Sequence, residues 1–162
     1  MATLDFVLYD TVIFAAAVPT EFNAFQTLPT DKKLSNTRGP GAMPSSESFA
    51  IQRIWAYADF APLEANVGTW FLNSLVEIIE SNFTWLQIPL QNILSLTQWN
   101  GMDASTTAAN QAHIAISNPP YVLDSPIQLL GGKPFTVRVT QGTAAAAASN
   151  VKIMLDGVLT LP

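Results

Sequence analysis

Phe135-Thr136-Val137-Arg138-Val139-Thr140 and, after it, Val151-Lys152-Ile153-Met154-Leu155-Asp156-Gly157 decide the fold class of this chain. In the first run Phe135, Val137 and Val139 alternate with Thr136, Arg138 and Thr140. In the second, Val151, Ile153 and Leu155 alternate with Lys152 and Met154. A period of two sets one group of side chains on a buried sheet face and the other towards solvent or a neighbour. Asp156-Gly157 is expected to turn the chain, and Ala144 to Ala148 to form a small-residue loop between the two strands. The ending reads as mainly β and holds no catalytic constellation.

Working outward, 162 residues are enough for one domain, 1–162, with a real core. Hydrophobic residues make up 49% and charged residues 12%, about half the charged share of an ordinary soluble domain. Surfaces this poor in charge suit contact with identical neighbours, because interface cores are depleted in charge and enriched in aromatics. The net charge is −5, and the seven basic residues are scattered singly apart from Lys32-Lys33. No direct, sequence-specific nucleic-acid ligand is therefore expected. There are no cysteines, which removes disulfides, thiolate metal sites and cysteine nucleophiles. Asp5 and Asp10 interrupt the apolar stretch Leu4 to Val18, so neither a signal peptide nor a membrane helix is read there.

Leu4 to Ala17 predicts a strand, or two with a break near Asp10-Thr11, ended by Pro19. Thr20 to Met43 reads as a long loop with brief extended pieces. Ser48 to Phe60 predicts a strand with Phe49, Ile51, Arg53, Trp55 and Tyr57 on one face and Ala50, Gln52, Ile54, Ala56 and Ala58 on the other. Phe71 to Ile79 is ambiguous: Leu72, Leu75, Val76 and Ile79 fit helical spacing, which favours a helix, while Ile78-Ile79 also suits a strand. Phe83 to Ile88 predicts a strand, Leu90 to Leu96 a helical turn or short strand, and Gln98 to Asn110 a loop. His113 to Ser117 predicts a short strand ended by Asn118-Pro119-Pro120, and Tyr121 to Leu130 leads to the Gly131-Gly132 turn. Seven or eight strands punctuated by Pro and Gly indicate a sandwich.

Chemistry-bearing residues are few. His113 is the sole histidine and lies on a predicted strand, with no serine in a nucleophile-elbow context. One histidine without cysteine makes a zinc or copper site improbable, and no cofactor is expected. Glu77 and Glu80 stand three apart and would share the solvated face of the predicted helix. Asp103 and Asp124 fall in loops, where turn-forming roles are commoner than catalysis. A hydrolase would rest on Glu77, Glu80 and Asp103 alone, so no enzyme activity is expected. Arg38-Gly39-Pro40-Gly41 follows no strand and opens no helix, so it is not a phosphate cradle. Asn82-Phe83-Thr84 matches a glycosylation acceptor only formally.

Four tryptophans remain. Trp55 and Trp85 lie within predicted strands and are expected to fill the core, whereas Trp70 and Trp99 border loops. With Phe22 and Phe25 of the N-terminal segment, Trp70 and Trp99 are the candidates for a subunit interface or ligand surface. Stacking on sugar rings would make the chain a carbohydrate- or receptor-binding sandwich, the alternative reading.

The order of segments resembles a known family. Thr37-Arg38-Gly39-Pro40-Gly41-Ala42-Met43 followed by Pro44 to Ile54 is similar to the early segment of jelly-roll capsid proteins of tailless icosahedral bacteriophages. Thr84-Trp85-Leu86-Gln87-Ile88-Pro89-Leu90 resembles their strand ending in an I-P-L turn. Asn118-Pro119-Pro120, Lys133 to Val139 and Val151 to Leu159 resemble their closing strands. The likeness spans about Thr37 to Leu159 as a pattern of strands and turns. It implies an eight-stranded antiparallel jelly-roll β-sandwich with one or two short helices, from the adenovirus-like lineage whose jelly rolls stand upright on the shell. At this length it implies one jelly roll per chain: a single jelly-roll capsid subunit, a penton or a minor shell protein.

The expected partners are copies of itself, other capsid proteins and a viral membrane beneath the shell. The expected location is the virion, after synthesis in the host cytoplasm. The N-terminal segment to about Thr30 and the loop Gln98 to Asn110 are the candidates for reaching a neighbour.

Overall fold

The computed structural model describes residues 1–58, 73–95, 119–145 and 148–162. Among them are nine strands: β1 (Ala2–Phe14), β2 (Glu21–Ala24), β3 (Ser48–Ala58), β4 (Leu75–Glu80), β5 (Phe83–Pro89), β6 (Leu94–Ser95), β7 (Tyr121–Leu129), β8 (Phe135–Thr140) and β9 (Ser149–Leu161). They form two sheets. The front sheet runs β1-β9-β3, and the far edge of β3 is shared between β7 and β6. The back sheet runs β2-β8-β4-β5. The fold is mainly β, with the sheets enclosing one apolar core.

Alternation builds that core. Val151, Ile153, Leu155 and Leu159 point inward from β9, and Leu8, Val12 and Phe14 from β1. Phe135, Val137 and Val139 of β8 and Val76 and Ile78 of β4 meet them from the back sheet. Burying a large apolar side chain contributes about 1.5–3 kcal/mol relative to leaving it exposed, so this cluster is what holds the sheets together. Pairing is nested: β1 with β9, β2 with β8, β3 with β7 and β4 with β5, all antiparallel.

Several expectations are corrected. The chain does not turn at Asp156-Gly157. β9 runs through both residues as a central strand flanked by β1 and β3. Gly157 is there for close approach: a Cβ on it would lie 1.9 Å from the Ala50 carbonyl oxygen. Glycine inside a strand often marks such contact beside a bulge, and β3 has its irregularity opposite this point, between Ile51 and Arg53. Gln52 is the extra residue, and it reverses the phase of β3. Phe49 and Ile51 face the core before it, Ile54 and Ala56 after it. Arg53, Trp55 and Tyr57 thereby turn outward rather than sharing a face with Phe49.

The predicted helix at Phe71 to Ile79 is also corrected. Its described part, Leu75 onward, is β4, with no α-helix among the described residues and only a 3-10 turn at Leu90–Asn92. The β-branched Val76, Ile78 and Ile79 favour a pleated strand; β4 alternates regularly against β8, but with apolar Leu75 and Ile79 on its outer face and Glu80 on its inner one the pattern is masked in the sequence. β1 is continuous, without a break at Asp10-Thr11. Among the described residues the strands number nine rather than eight, and β6 pairs β3 in parallel. The segments expected as the Gln98 to Asn110 loop and the His113 to Ser117 strand lie outside the described residues.

Sheet edges are guarded. Along β1, Asn36 acts as a surrogate strand: Tyr9 N–H donates to its Oδ1 at 2.6 Å, its Nδ2 donates to the Val7 carbonyl at 2.7 Å, and its N–H donates to the Tyr9 carbonyl at 3.0 Å. On β5, Trp85 is an unpaired extra residue and Pro89 has no N–H to offer. On β7, the register breaks between Val122 and Ile127, around Pro126. Bulges and proline on edges block the addition of foreign strands.

Candidate functional surfaces

Each sheet's outward side chains follow from register. On the front, three rows cross β1, β9 and β3: Tyr9–Met154–Trp55, Thr11–Lys152–Tyr57 and Val7–Asp156–Arg53. These residues are half-buried or, for Arg53, exposed, with Asp156 nearly covered. Arg53 is ion-paired with Asp156. The Lys152 ammonium lies 5.1 Å from the Tyr9 ring centroid and donates to the Lys33 carbonyl at 2.7 Å. The segment Asp31 to Thr37 thus leans on the β1 side of this face, held also by Thr11 Oγ1 donating to the Leu34 carbonyl at 2.6 Å.

On the back, the rows are Glu21–Thr140–Leu75–Pro89 and Asn23–Arg138–Glu77–Gln87. Arg138 Nε donates to Glu77 Oε2 at 2.7 Å, and Gln87 Nε2 to Glu77 Oε1 at 3.1 Å. The hydrogen bond to Glu77 holds the Arg138 guanidinium above its ordinary pKa, with Glu77 and Glu21 adding to this by charge. Glu77 and Glu80 do not share a face as the helix reading required. Glu77 looks out from the back sheet, while Glu80 pairs with Phe135 and accepts from the Leu130 N–H at 3.1 Å. Their carboxylates serve structure, each satisfied by a different partner.

The aromatic candidates separate. Phe25 is wholly buried, with its ring 5.8 Å from that of Phe135, so it belongs to the core rather than to a surface. Its φ of +65° is unusual for a bulky residue, and it is held there by its N–H donating to Asp10 Oδ2 at 2.6 Å. Phe22 is half-buried, stacked 5.7 Å from Phe14. Trp70, Trp99, Asp103 and His113 lie outside the described residues. Trp85, expected in the core, is 48% exposed and makes an edge contact at 4.7 Å with Phe83, itself 60% exposed. Alternation with the inward Leu86 and Ile88 sets Trp85 on the outer side with Gln87, a period-two signal that the sequence carried. Trp55 is half-buried on the front face, not in the core.

Two ends of the sandwich differ. At one, Gln141 stitches the β1–β2 and β8–β9 connections: its Oε1 accepts from the Ala15 N–H at 3.1 Å and its Nε2 donates to the Ala15 carbonyl at 2.9 Å. At the other, Arg38 grips Glu47 with two nitrogens, at 2.5 and 2.6 Å, and this hydrogen bonding raises its pKa. The pair fastens the Arg38-Gly39-Pro40-Gly41 segment and carries no phosphate geometry. Asp124 is exposed on β7, and Asn82 sits at the β4–β5 turn. A shallow hollow of about 440 Å³ is lined by Asn92, Pro119, Pro120, Tyr121 and Val122. Among the described residues, no three potential ligating side chains converge for a metal. No known protein-family description matches this sequence, and no curated protein is significantly similar to it.

Proposed function

We propose that this chain is a single jelly-roll subunit of an icosahedral bacteriophage shell, with a structural rather than catalytic role. The nested pairing carries the reading. With the two-residue β6 set aside, the remaining eight strands pair first with last, second with seventh, third with sixth and fourth with fifth. A long antiparallel hairpin rolled up in this way is an eight-strand, two-sheet jelly roll, an architecture common among viral capsid and lectin domains. The 12% charged content supports burial against copies of the same chain. The partners would be those copies, other shell proteins and an underlying membrane, and the location would be the virion.

Multi-angle light scattering and negative-stain microscopy over rising concentration test this reading. Discrete symmetric oligomers or shells are expected. A strictly monomeric particle at high micromolar concentration would overturn it.

The exposed Phe83–Trp85 pair favours one alternative, a carbohydrate- or receptor-binding sandwich. That reading expects a glycan to change tryptophan fluorescence and Trp85→Ala to abolish the change; a silent glycan array removes it.

A further inference from the structure

We infer that two copies of this chain join edge to edge through Ala2 to Phe6 of β1, antiparallel across a two-fold axis at Leu4, so that their front sheets become one. This deepens the shell reading and rests on it. β1 is the margin of the front sheet and pairs only with β9. On its other side Asn36 satisfies the Val7 carbonyl and both backbone groups of Tyr9. In an antiparallel ladder every second residue turns both its groups the same way, so Thr3 and Asp5 also aim theirs away from β9. Among the described residues no partner meets those groups, and Met1 to Asp5 are exposed. An open stretch of strand margin is a template for another chain, and its main-chain bonds supply the affinity.

This stretch is complementary to its own reverse. With Leu4 on the axis, Thr3 lies opposite Asp5 of the second copy, and each such pair exchanges both backbone bonds. Asp5 is the one ionised side chain from Ala2 to Phe6, and it then meets a hydroxyl that can donate to it. On the inner side Ala2 lies opposite Phe6, small against large, and Leu4 opposite Leu4. Leu4 follows the inward phase of Leu8 and Val12 yet is 38% exposed, so the pairing covers it. An axis at Asp5 would set two carboxylates face to face, which is unfavourable, and would need the Val7 carbonyl that Asn36 already holds. Asn36 therefore fixes where the pairing stops. The contact is isologous and closes on itself, so it joins two subunits without starting a fibre.

Disulfide trapping tests the register in a chain that has no cysteine of its own. Directly opposed residues at the axis lie about 4.5 Å apart between Cα atoms, within the span of a disulfide. Leu4→Cys is compared with Ile13→Cys, an exposed position on the same strand far from the axis, under mild oxidation and non-reducing electrophoresis. Leu4→Cys is expected to form covalent dimer about tenfold faster or more, because pairing concentrates the two thiols. Adding Thr3→Pro should bring it down to the Ile13→Cys rate. That proline removes an N–H aimed at the open margin and no bond to β9, so the subunit keeps its own ladder. Sedimentation velocity on the cysteine-free wild type and Thr3→Pro reads the same step as loss of a dimer. Equal trapping rates in a wild type that still forms oligomers would overturn the β1 contact and leave the shell reading standing. Fast trapping at Leu4 that ignores Thr3→Pro would overturn the backbone pairing. A wild-type chain that never associates, with equal trapping rates, would overturn both readings.

Discussion

Replacing Gly157 with alanine would place a methyl carbon 1.9 Å from the Ala50 carbonyl oxygen, 2.8 Å from its carbonyl carbon and 3.1 Å from the Ile51 Cα. Carbon and oxygen approach no closer than about 3.3 Å without repulsion, so β9 and β3 would have to part by about 1.4 Å. That separation stretches ladder hydrogen bonds from about 2.9 Å to about 4.3 Å, beyond useful length. On the order of three or four bonds flank the bulge, each contributing about 1 kcal/mol. The expected loss is about 3–4 kcal/mol, a large part of the 5–15 kcal/mol by which a domain of this kind is stable. Guanidinium unfolding followed by tryptophan fluorescence reads it as a lowered midpoint. Gly132→Ala is the control. Its φ is +75° but its nearest obstacle lies 3.9 Å away, so only backbone strain of about 1–2 kcal/mol applies. Adding Ala50→Gly to Gly157→Ala should recover nothing, because the obstacle is a carbonyl that every residue carries. A Gly157→Ala protein within about 0.5 kcal/mol of wild type would refute the close-approach argument.

The other predictions concern edges, turns and the placement of aromatics. Asn36→Ala removes the side-chain partners of two backbone groups, the Tyr9 N–H and the Val7 carbonyl, and keeps the backbone bond to the Tyr9 carbonyl; it should cost about 2 kcal/mol and speed hydrogen exchange at the Tyr9 amide. Ser81 holds φ of +56° at the first of two turn residues, a position that favours glycine. Ser81→Gly should therefore raise the unfolding free energy by about 1 kcal/mol, and a fall in stability would contradict the turn assignment. Ile78→Ala, at a wholly buried site, should cost about 2–5 kcal/mol. Trp85→Ala should stay within about 0.5 kcal/mol of wild type, and a loss as large as that of Ile78→Ala would put Trp85 back in the core.

Much of the sandwich was legible because alternation survives wherever a strand is regular. Val137 and Val139, or Ile153 and Leu155, announce their faces directly. An irregular register and a masked face hid the rest. One extra residue at Gln52 sent Arg53, Trp55 and Tyr57 outward, and apolar Leu75 and Ile79 on the outer face of β4, with Glu80 on its inner face, let a strand imitate helical spacing. Gly157 misled for a different reason: Asp-Gly is a turn signal in isolation, and only the neighbouring strand's carbonyl explains the glycine. The surfaces were least legible, since a face is assembled from β1, β3 and β9, which are distant in sequence. Phe25 illustrates the same limit, because its burial depends on Asp10 holding an unfavourable backbone angle from another strand.

The guarded margins of the sheets have a consequence for a polypeptide proposed to pack against many copies of itself. A surface with few ionised groups offers little mutual repulsion, and bare strand margins would invite irreversible, fibre-like joining. Asn36, Pro89 and Pro126 obstruct that route on β1 beyond Phe6, on β5 and on β7, which favours recognition there through side chains, by contacts that can be undone and corrected. In the shell proposed above, misplaced subunits could then leave and rejoin, which a regular lattice of many identical parts requires.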